Sequence, residues 1–275
     1  MDLHLTRILA ASSIVTLIMS LAGCASYATP GRAAEMKLFA ADPQADPSVV
    51  KTIDRRPLAT LPTGVAIVRV QAPGYGSETA KGWGRGAYSI VTERDIKGED
   101  QRLVELRQKM PMCKGLAPIN RLLLPEDLHS NVELRQAAGA LHADMLLVYT
   151  LDTTFQVQDV AAPLSVITLG FSPNQVAHVI CTASAVLMDT RNGYVYGVAE
   201  ATERQNQLAS AWTSEAAVDQ TRKRVEAMAF AKLVGELEQT WPGVVANLQE
   251  GRATPPVSSS SSSIPMDGPL YRTGD

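Results

Sequence analysis

Three cysteines carry most of the reactive chemistry that this sequence offers. Cys24 closes an apolar run, residues 8–23, that follows a single basic residue, Arg7, and ends in small side chains. The run is shorter than the ~20 residues needed to cross a bilayer. It therefore reads as a secretory signal, residues 1–23, and not as a membrane span. Export delivers the chain to an oxidising compartment, where Cys113 and Cys181 remain as an even pair and a candidate disulfide if Cys24 is consumed by a modification of its own. Closing that loop would stabilise the fold by roughly 4 kcal/mol on the chain-entropy model. Cys181 also falls on the apolar side of a predicted strand, where a thiol behaves as a small buried hydrophobe, so both readings stay open.

The other residues that could do chemistry do not assemble into a motif. The histidines, His4, His129, His142 and His178, show no zinc-ligand spacing. A Gly-x-Ser-x-Gly elbow for a serine nucleophile is absent from the sequence. Glu93, Asp95, Glu99 and Asp100 cluster as a cation site would, but Arg94 and Lys97 interleave them and no calcium-loop spacing results. They read as the solvated start of a helix. The stretch Gly82-Trp83-Gly84-Arg85-Gly86-Ala87 resembles a dinucleotide fingerprint, yet it leads into a strand, where a phosphate cradle must open a helix. The sequence thus nominates no catalytic, cofactor-binding or metal-ligating residue, and an enzyme is not the expectation. Formal net charge is −3 with basic residues scattered, which gives no footprint for nucleic acid.

Leu21-Ala22-Gly23-Cys24 resembles the bacterial lipobox. That likeness implies diacylation of the Cys24 thiol, cleavage before it and a third acyl chain on the new amine. Ala25 follows where aspartate would signal retention at the inner membrane, so the likeness further implies an outer-membrane anchor facing the periplasm.

The elements that must stand behind this anchor are legible from periodicity. Residues 24–61, rich in Ala, Pro and Asp, read as a flexible tether. Residues 62–250 read as one α/β domain. Val65 to Val70 is a β-branched run bounded by prolines and predicts a buried first strand, with Ala87 to Val91 as a second. Leu103, Leu106 and Met110 recur at helical spacing before Pro111. Ser130 and Glu133 form a capping box for a helix whose apolar face is Leu134, Ala137, Ala138 and Leu141. Long strands follow from Met145 to about Val157 and from about Val176 to Met188. Asn192-Gly193 then predicts a hairpin turn into a partner strand from Tyr194 to about Thr202. Phe230, Leu233, Val234, Leu237 and Trp241 mark a long closing helix, about 214–245. Residues 251–275, with a serine run from Ser258 to Ser263, have the composition of a tail without order. The fold class expected is α/β (α+β), a mixed sheet with a long C-terminal β-hairpin, covered by helices and ending in a long helix.

That order behind a lipobox resembles the periplasmic domains of envelope lipoproteins related to CsgG and LpoB and the N-terminal domain of TolB. The residues carrying the likeness are 134–149 and 186–196, including Ala143-Asp144-Met145-Leu146-Leu147-Val148-Tyr149 and Asp189-Thr190-Arg191-Asn192-Gly193-Tyr194. The resemblance implies a non-catalytic interaction or scaffold module without a cofactor, bound to membrane through Cys24 and to an envelope protein, with homo-oligomerisation open. A self-assembling secretion or pore component is the second expectation, although the sequence has no clear pair of alternating hairpins to line a barrel. An envelope enzyme is the third. Between the long strands, Pro163 and Pro173 bracket an apolar piece whose Val166, Leu169 and Phe171 are candidate partner contacts, or another strand of the core.

Overall fold

The structure is a computed structural model that describes residues 47–77, 79–159, 175–209, 215–251 and 257–260. These fall into two compact units. The larger takes residues 55–152, 181–203 and the described residues from 226 onward; the smaller takes the described residues of 47–54, 153–180 and 204–225.

The elements in chain order are α1 (Pro47–Ile53), β1 (Thr63–Gln71), β2 (Arg85–Gly86), β3 (Ser89–Val91), α2 (Glu99–Lys109), β4 (Cys113–Pro118), a 3-10 turn (Arg121–Leu123) and β5 (Asp127–Leu128). Then come α3 (Asn131–Ala140), β6 (Met145–Asp159), β7 (Gln175–Asp189), β8 (Val195–Ala209), α4 (Glu215–Gln249) and β9 (Val257–Ser260). One mixed sheet has the order β3-β1-β6-β7-β8-β9, and β4 also pairs with β1. β1 runs parallel to β6 with Val65 opposite Met145 and Arg69 opposite Tyr149. On its other edge β1 is shared, by β4 along Thr63 to Ile67 and by β3 along Arg69 to Gln71. The fold is the mixed α/β arrangement expected, with the long hairpin and the long closing helix in place.

In the larger unit the start of β6 is buried on both faces, as its unbroken apolar run requires. Met145, Leu146 and Leu147 are all buried. On one face Ala66, Val68, Leu146 and Met188 pack against Leu134, Ala137 and Ala138 of α3. The small alanines let that helix lie close. Its start is fixed by the capping box: Ser130 Oγ accepts from the Val132 N–H at 3.2 Å, and Glu133 Oε2 accepts from the Ser130 N–H at 3.0 Å. On the opposite face, α2 and α4 bring Leu106, Met110 and Trp241 against Leu147 and Leu187. Trp241 is 1% exposed and satisfies its indole by donating to the Pro111 carbonyl at 2.7 Å.

The hairpin turn between β7 and β8 is held by one carboxylate. Asp189, fully buried, accepts from the Arg191 and Asn192 N–H groups at 2.8 and 3.3 Å through Oδ1. Its Oδ2 accepts from the Leu58 N–H at 2.9 Å and from the Tyr196 hydroxyl at 2.6 Å. Tyr196 Oη in turn accepts from the Ala59 N–H at 3.0 Å, and Asn192 Nδ2 donates to the Arg56 carbonyl at 2.7 Å. Gly193 takes φ 73°, the left-handed conformation that the Asn-Gly pair foretells.

Three stretches differ from the sequence reading. Part of the presumed tether is ordered, since α1 begins at Pro47, where a fixed φ suits the first helical position, and residues 56–59 are tied to the hairpin turn. β4 was not foreseen because Cys113–Pro118 has neither alternation nor β-branched residues; it exists because the edge of β1 supplies its ladder. Val257–Ser260, inside the serine-rich stretch expected to lack order, pairs parallel with β8 from Gly197 to Glu200. There the open edge of β8 compensates for a composition that buries little.

Candidate partner-binding face

The helix on the α3 side of the sheet is too short to cover it. Ten residues of α-helix extend ~15 Å, whereas the stretch of β6 within the larger unit, 145–152, extends ~26 Å. Past the end of α3 the same strand face continues, and Val70, Val148, Val186 and Val198 line an open crevice of about 610 Å³. Val198 is 38% exposed. The face turns polar at the rim, where Ser184 Oγ donates to Glu200 Oε2 at 3.1 Å and Thr150 Oγ1 donates to Gln71 Oε1 at 3.2 Å. Four adjacent strands thus present an aliphatic trough with a hydrogen-bonded border. Such a surface binds apolar groups by exclusion of water.

The other face of β1 carries a buried polar cluster that sequence reading missed. Arg69, 2% exposed, donates to Asp95 Oδ1 at 2.7 Å and to the Tyr75 hydroxyl at 3.1 Å, and its guanidinium lies 5.5 Å from the Tyr75 ring centroid. Burial works against the Arg69 charge, but Tyr75 and Asp95 more than offset it and raise its pKa. Glu99, 3% exposed at the start of α2, accepts a short hydrogen bond from Tyr149. Burial pushes the Glu99 carboxyl above the usual range against the pull of Tyr149 and Arg69. Burial, then the Glu99 carboxylate, hold the Tyr149 phenol well above its own. Asp95 and Glu99, expected on a solvated helix start, are therefore turned inward. The available signal was Arg69 itself, a cation in an otherwise apolar strand, which has to bring a carboxylate with it.

The Glu99 shift has a sign that can be checked. A raised carboxyl pKa means that the folded state holds a proton the unfolded state has lost, so this group costs stability as pH rises above the ordinary carboxylate range. Glu99→Gln, which keeps an oxygen for Tyr149, is expected to raise the melting temperature at pH 7, with the gain gone below about pH 4. Melting curves of both proteins across pH 3–8 check this; a gain of equal size at every pH would refute it.

The residues nominated from sequence are distributed as follows. Cys24 and the segment with Val166, Leu169 and Phe171 lie outside the described residues. Cys113 and Cys181 do not form the candidate disulfide: both remain thiols, on β4 and β7, with β1 and β6 between them. Three strand spacings amount to ~14 Å, more than twice the ~6 Å that a disulfide spans between α-carbons. Cys181 is fully buried among the strands, and the partly buried Cys113 thiol donates to the Gly115 carbonyl at 3.5 Å. The glycine-rich loop serves β2. A side chain at Gly86, φ 113°, would run into the Leu128 carbonyl of the β5 strand it pairs with. Among the described residues no three His, Cys, Asp or Glu side chains converge as a metal site would require, and no helix is long and apolar enough to cross a membrane.

No protein-family model matches this chain, and no curated protein does. Among solved structures it is similar to a minor lipoprotein from Acinetobacter baumannii, with 8% identity, coverage of 69% of this chain and 96% of that one, and a TM-score of 0.31. It is similar to the rare lipoprotein B of Shewanella oneidensis, with 8% identity, coverage of 68% and 98%, and a TM-score of 0.31. A PelC dodecamer from Paraburkholderia phytofirmans matches with 10% identity, coverage of 66% and 91%, and a TM-score of 0.28. These likenesses assign no residue a role.

Proposed function

We propose that this chain is a non-catalytic interaction module of the cell envelope, held on the periplasmic face of the outer membrane by acyl chains on Cys24, which binds a protein partner in the crevice on its sheet. The observation that carries this reading is the aliphatic trough Val70, Val148, Val186 and Val198, left open beyond α3 on a sheet that is otherwise packed. The lipobox-like sequence at Cys24 supplies the location, and the trough supplies the specificity. The partner presents an extended aliphatic segment, because a trough four strands wide with a polar rim accepts side chains without demanding backbone pairing.

Val198→Asp tests the site, since Val198 is exposed enough to be changed without a cavity. The variant is expected to keep its melting temperature within a few degrees and to lose its cross-linked partner in intact cells. A partner captured equally by both proteins would refute the assignment. Cys24→Ala is expected to abolish acyl incorporation and to move the protein from the membrane to the soluble periplasmic fraction. A membrane-bound Cys24→Ala protein would remove the anchor from this reading. Native mass spectrometry of the acylated chain in mild detergent separates the module from a secretion or pore component: a monomer or dimer fits the module, and a large closed ring overturns it in favour of the assembly.

A further inference from the structure

The edge of β1 that β3 and β4 share opens into a second, smaller cavity. β4 runs parallel to β1 and its ladder ends at Ile67, opposite Pro118, while β3 runs antiparallel and its ladder ends at Arg69, opposite Val91. The carboxyl ends of the two strands therefore meet head-on beside Val68, and both chains must leave the sheet there. Strand carboxyl ends at a change of chain direction are where open α/β sheets form binding sites. A cavity of about 200 Å³ lies at this junction, between Thr92 and Asn120 past the two strand ends and Arg69, Arg94, Glu99 and Tyr149. That is the volume of about six or seven waters, room for one functional group on a short stem.

Two atoms of its wall are buried and find no hydrogen-bond partner among the described residues, Arg69 Nε and Glu99 Oε2. The other guanidinium nitrogens of Arg69 are used by Asp95 and Tyr75, and Glu99 Oε1 is used by Tyr149. Buried polar atoms left over in this way call for an occupant. The rest of the polar wall is rich in donors. Asn120 spends its side-chain oxygen on the Leu122 N–H at 3.0 Å, which leaves its NH2 group to donate. Arg94, partly exposed and paired with Asp100, brings a second guanidinium. Burial holds the Glu99 carboxyl toward its protonated form, and with Oε1 engaged by Tyr149 the proton sits on Oε2, which then donates as well. α2 begins at Glu99 behind Gly98, which has no side chain to cap the first-turn N–H groups, so the helix end adds partial positive charge at the same place.

We propose that this cavity binds a carboxylate group, with Arg69 Nε, the Arg94 guanidinium and the Glu99 carboxyl as its donors and Leu103 and Ile119 around its aliphatic stem. A neutral amide is the competing ligand, since it would suit a Glu99 that accepts. The carboxylate can belong to a small free acid or to the C-terminus of a peptide, and the same donors serve both. The site stands independently of the crevice and its partner.

The test is isothermal calorimetry on the full acylated chain in mild detergent at pH 7. The probes are butyrate, butyramide, and the peptide acetyl-Gly-Gly-Ala as free acid and as C-terminal amide. Butyrate is expected to bind at least about tenfold more tightly than butyramide. Arg94→Gln, whose folding is checked by its melting temperature, is expected to weaken butyrate about tenfold. Glu99→Gln keeps an oxygen for Tyr149 and sets an uncharged N–H donor in place of Oε2, so it is expected to bind butyrate at least about threefold more tightly. A peptide acid that binds more tightly than both butyrate and its own amide identifies a chain terminus as the ligand. Butyrate binding as tightly as the peptide acid identifies a small free acid. Equal binding of butyrate and butyramide, unchanged binding to Arg94→Gln or weaker binding to Glu99→Gln would each overturn the proposal. Absence of carboxylate binding at ~10 mM would overturn it in favour of water alone.

Discussion

Arg69→Leu is expected to lower stability by roughly 3–5 kcal/mol, because it breaks a buried ion pair and leaves the other charge behind. Asp95, whose side chain is 4% exposed, would lose the guanidinium that now sits 2.7 Å from it. The hydroxyls of Thr79 and Ser77 that also reach Asp95, at 3.0 and 3.5 Å, are neutral and cannot replace it. Tyr75 would lose both a hydrogen-bond donor and a stacked cation. For a domain of this size the loss corresponds to a melting temperature lower by roughly 10 °C. Removing both charges, Arg69→Leu with Asp95→Leu, is expected to recover most of it, since the cost lies in a buried carboxylate that has lost its guanidinium and not in the absence of the pair. Thermal unfolding of the single and double variants decides the matter; a single variant within about 1 kcal/mol of the parent would mean that the loop carrying Asp95 swings out to solvent.

Asp189→Ala is the second large effect. Four donors converge on this carboxylate, two from the turn it closes, one from Tyr196 and one from the chain that enters the domain at Leu58. Each buried donor left without an acceptor costs about 1–3 kcal/mol, so a loss of at least about 3 kcal/mol is expected even with water entering part of the space. Asp189→Asn is expected to fall between, since its oxygen can keep the turn while its amide opposes the Leu58 N–H. The segment at residues 55–60 should loosen before the sheet does. Trypsin cutting after Arg55 is therefore expected to accelerate in Asp189→Ala at temperatures where circular dichroism still reads native; unchanged cleavage would show that the entry segment is held by the other contacts.

What could be read from sequence follows from the range over which each signal acts. The capping box at Ser130, the helical spacing in α2 and α4 and the Asn-Gly turn are local, and they appear where the residues place them. The same holds for β6, whose unbroken apolar start reports burial on two faces without naming what buries it. The elements missed are those made by distant partners. β4 exists through β1, β9 through β8, and the ordered entry segment through a carboxylate 131 residues away from Leu58. The crevice was illegible for a related reason. Val70, Val148, Val186 and Val198 are ordinary strand residues one at a time, and they meet in one crevice because, among the described residues, α3 ends short of them. The inward carboxylates Asp95 and Glu99 sit in a stretch whose charge pattern is that of a solvated helix start, and only the approach of Arg69 and Tyr149 turns them to the core.

The tie between the entry segment and the hairpin turn also fixes how the domain meets a mechanical load. Tension on the N-terminal end of the chain enters at residues 56–59 and is taken first by Asn192, Asp189 and Tyr196, on a tight turn joining two fifteen-residue strands. β1, which follows at Thr63 and has neighbours on both edges, is loaded only after those bonds give way. Placed so, a few side-chain bonds at the turn are expected to yield before the strands that build the crevice lose their register.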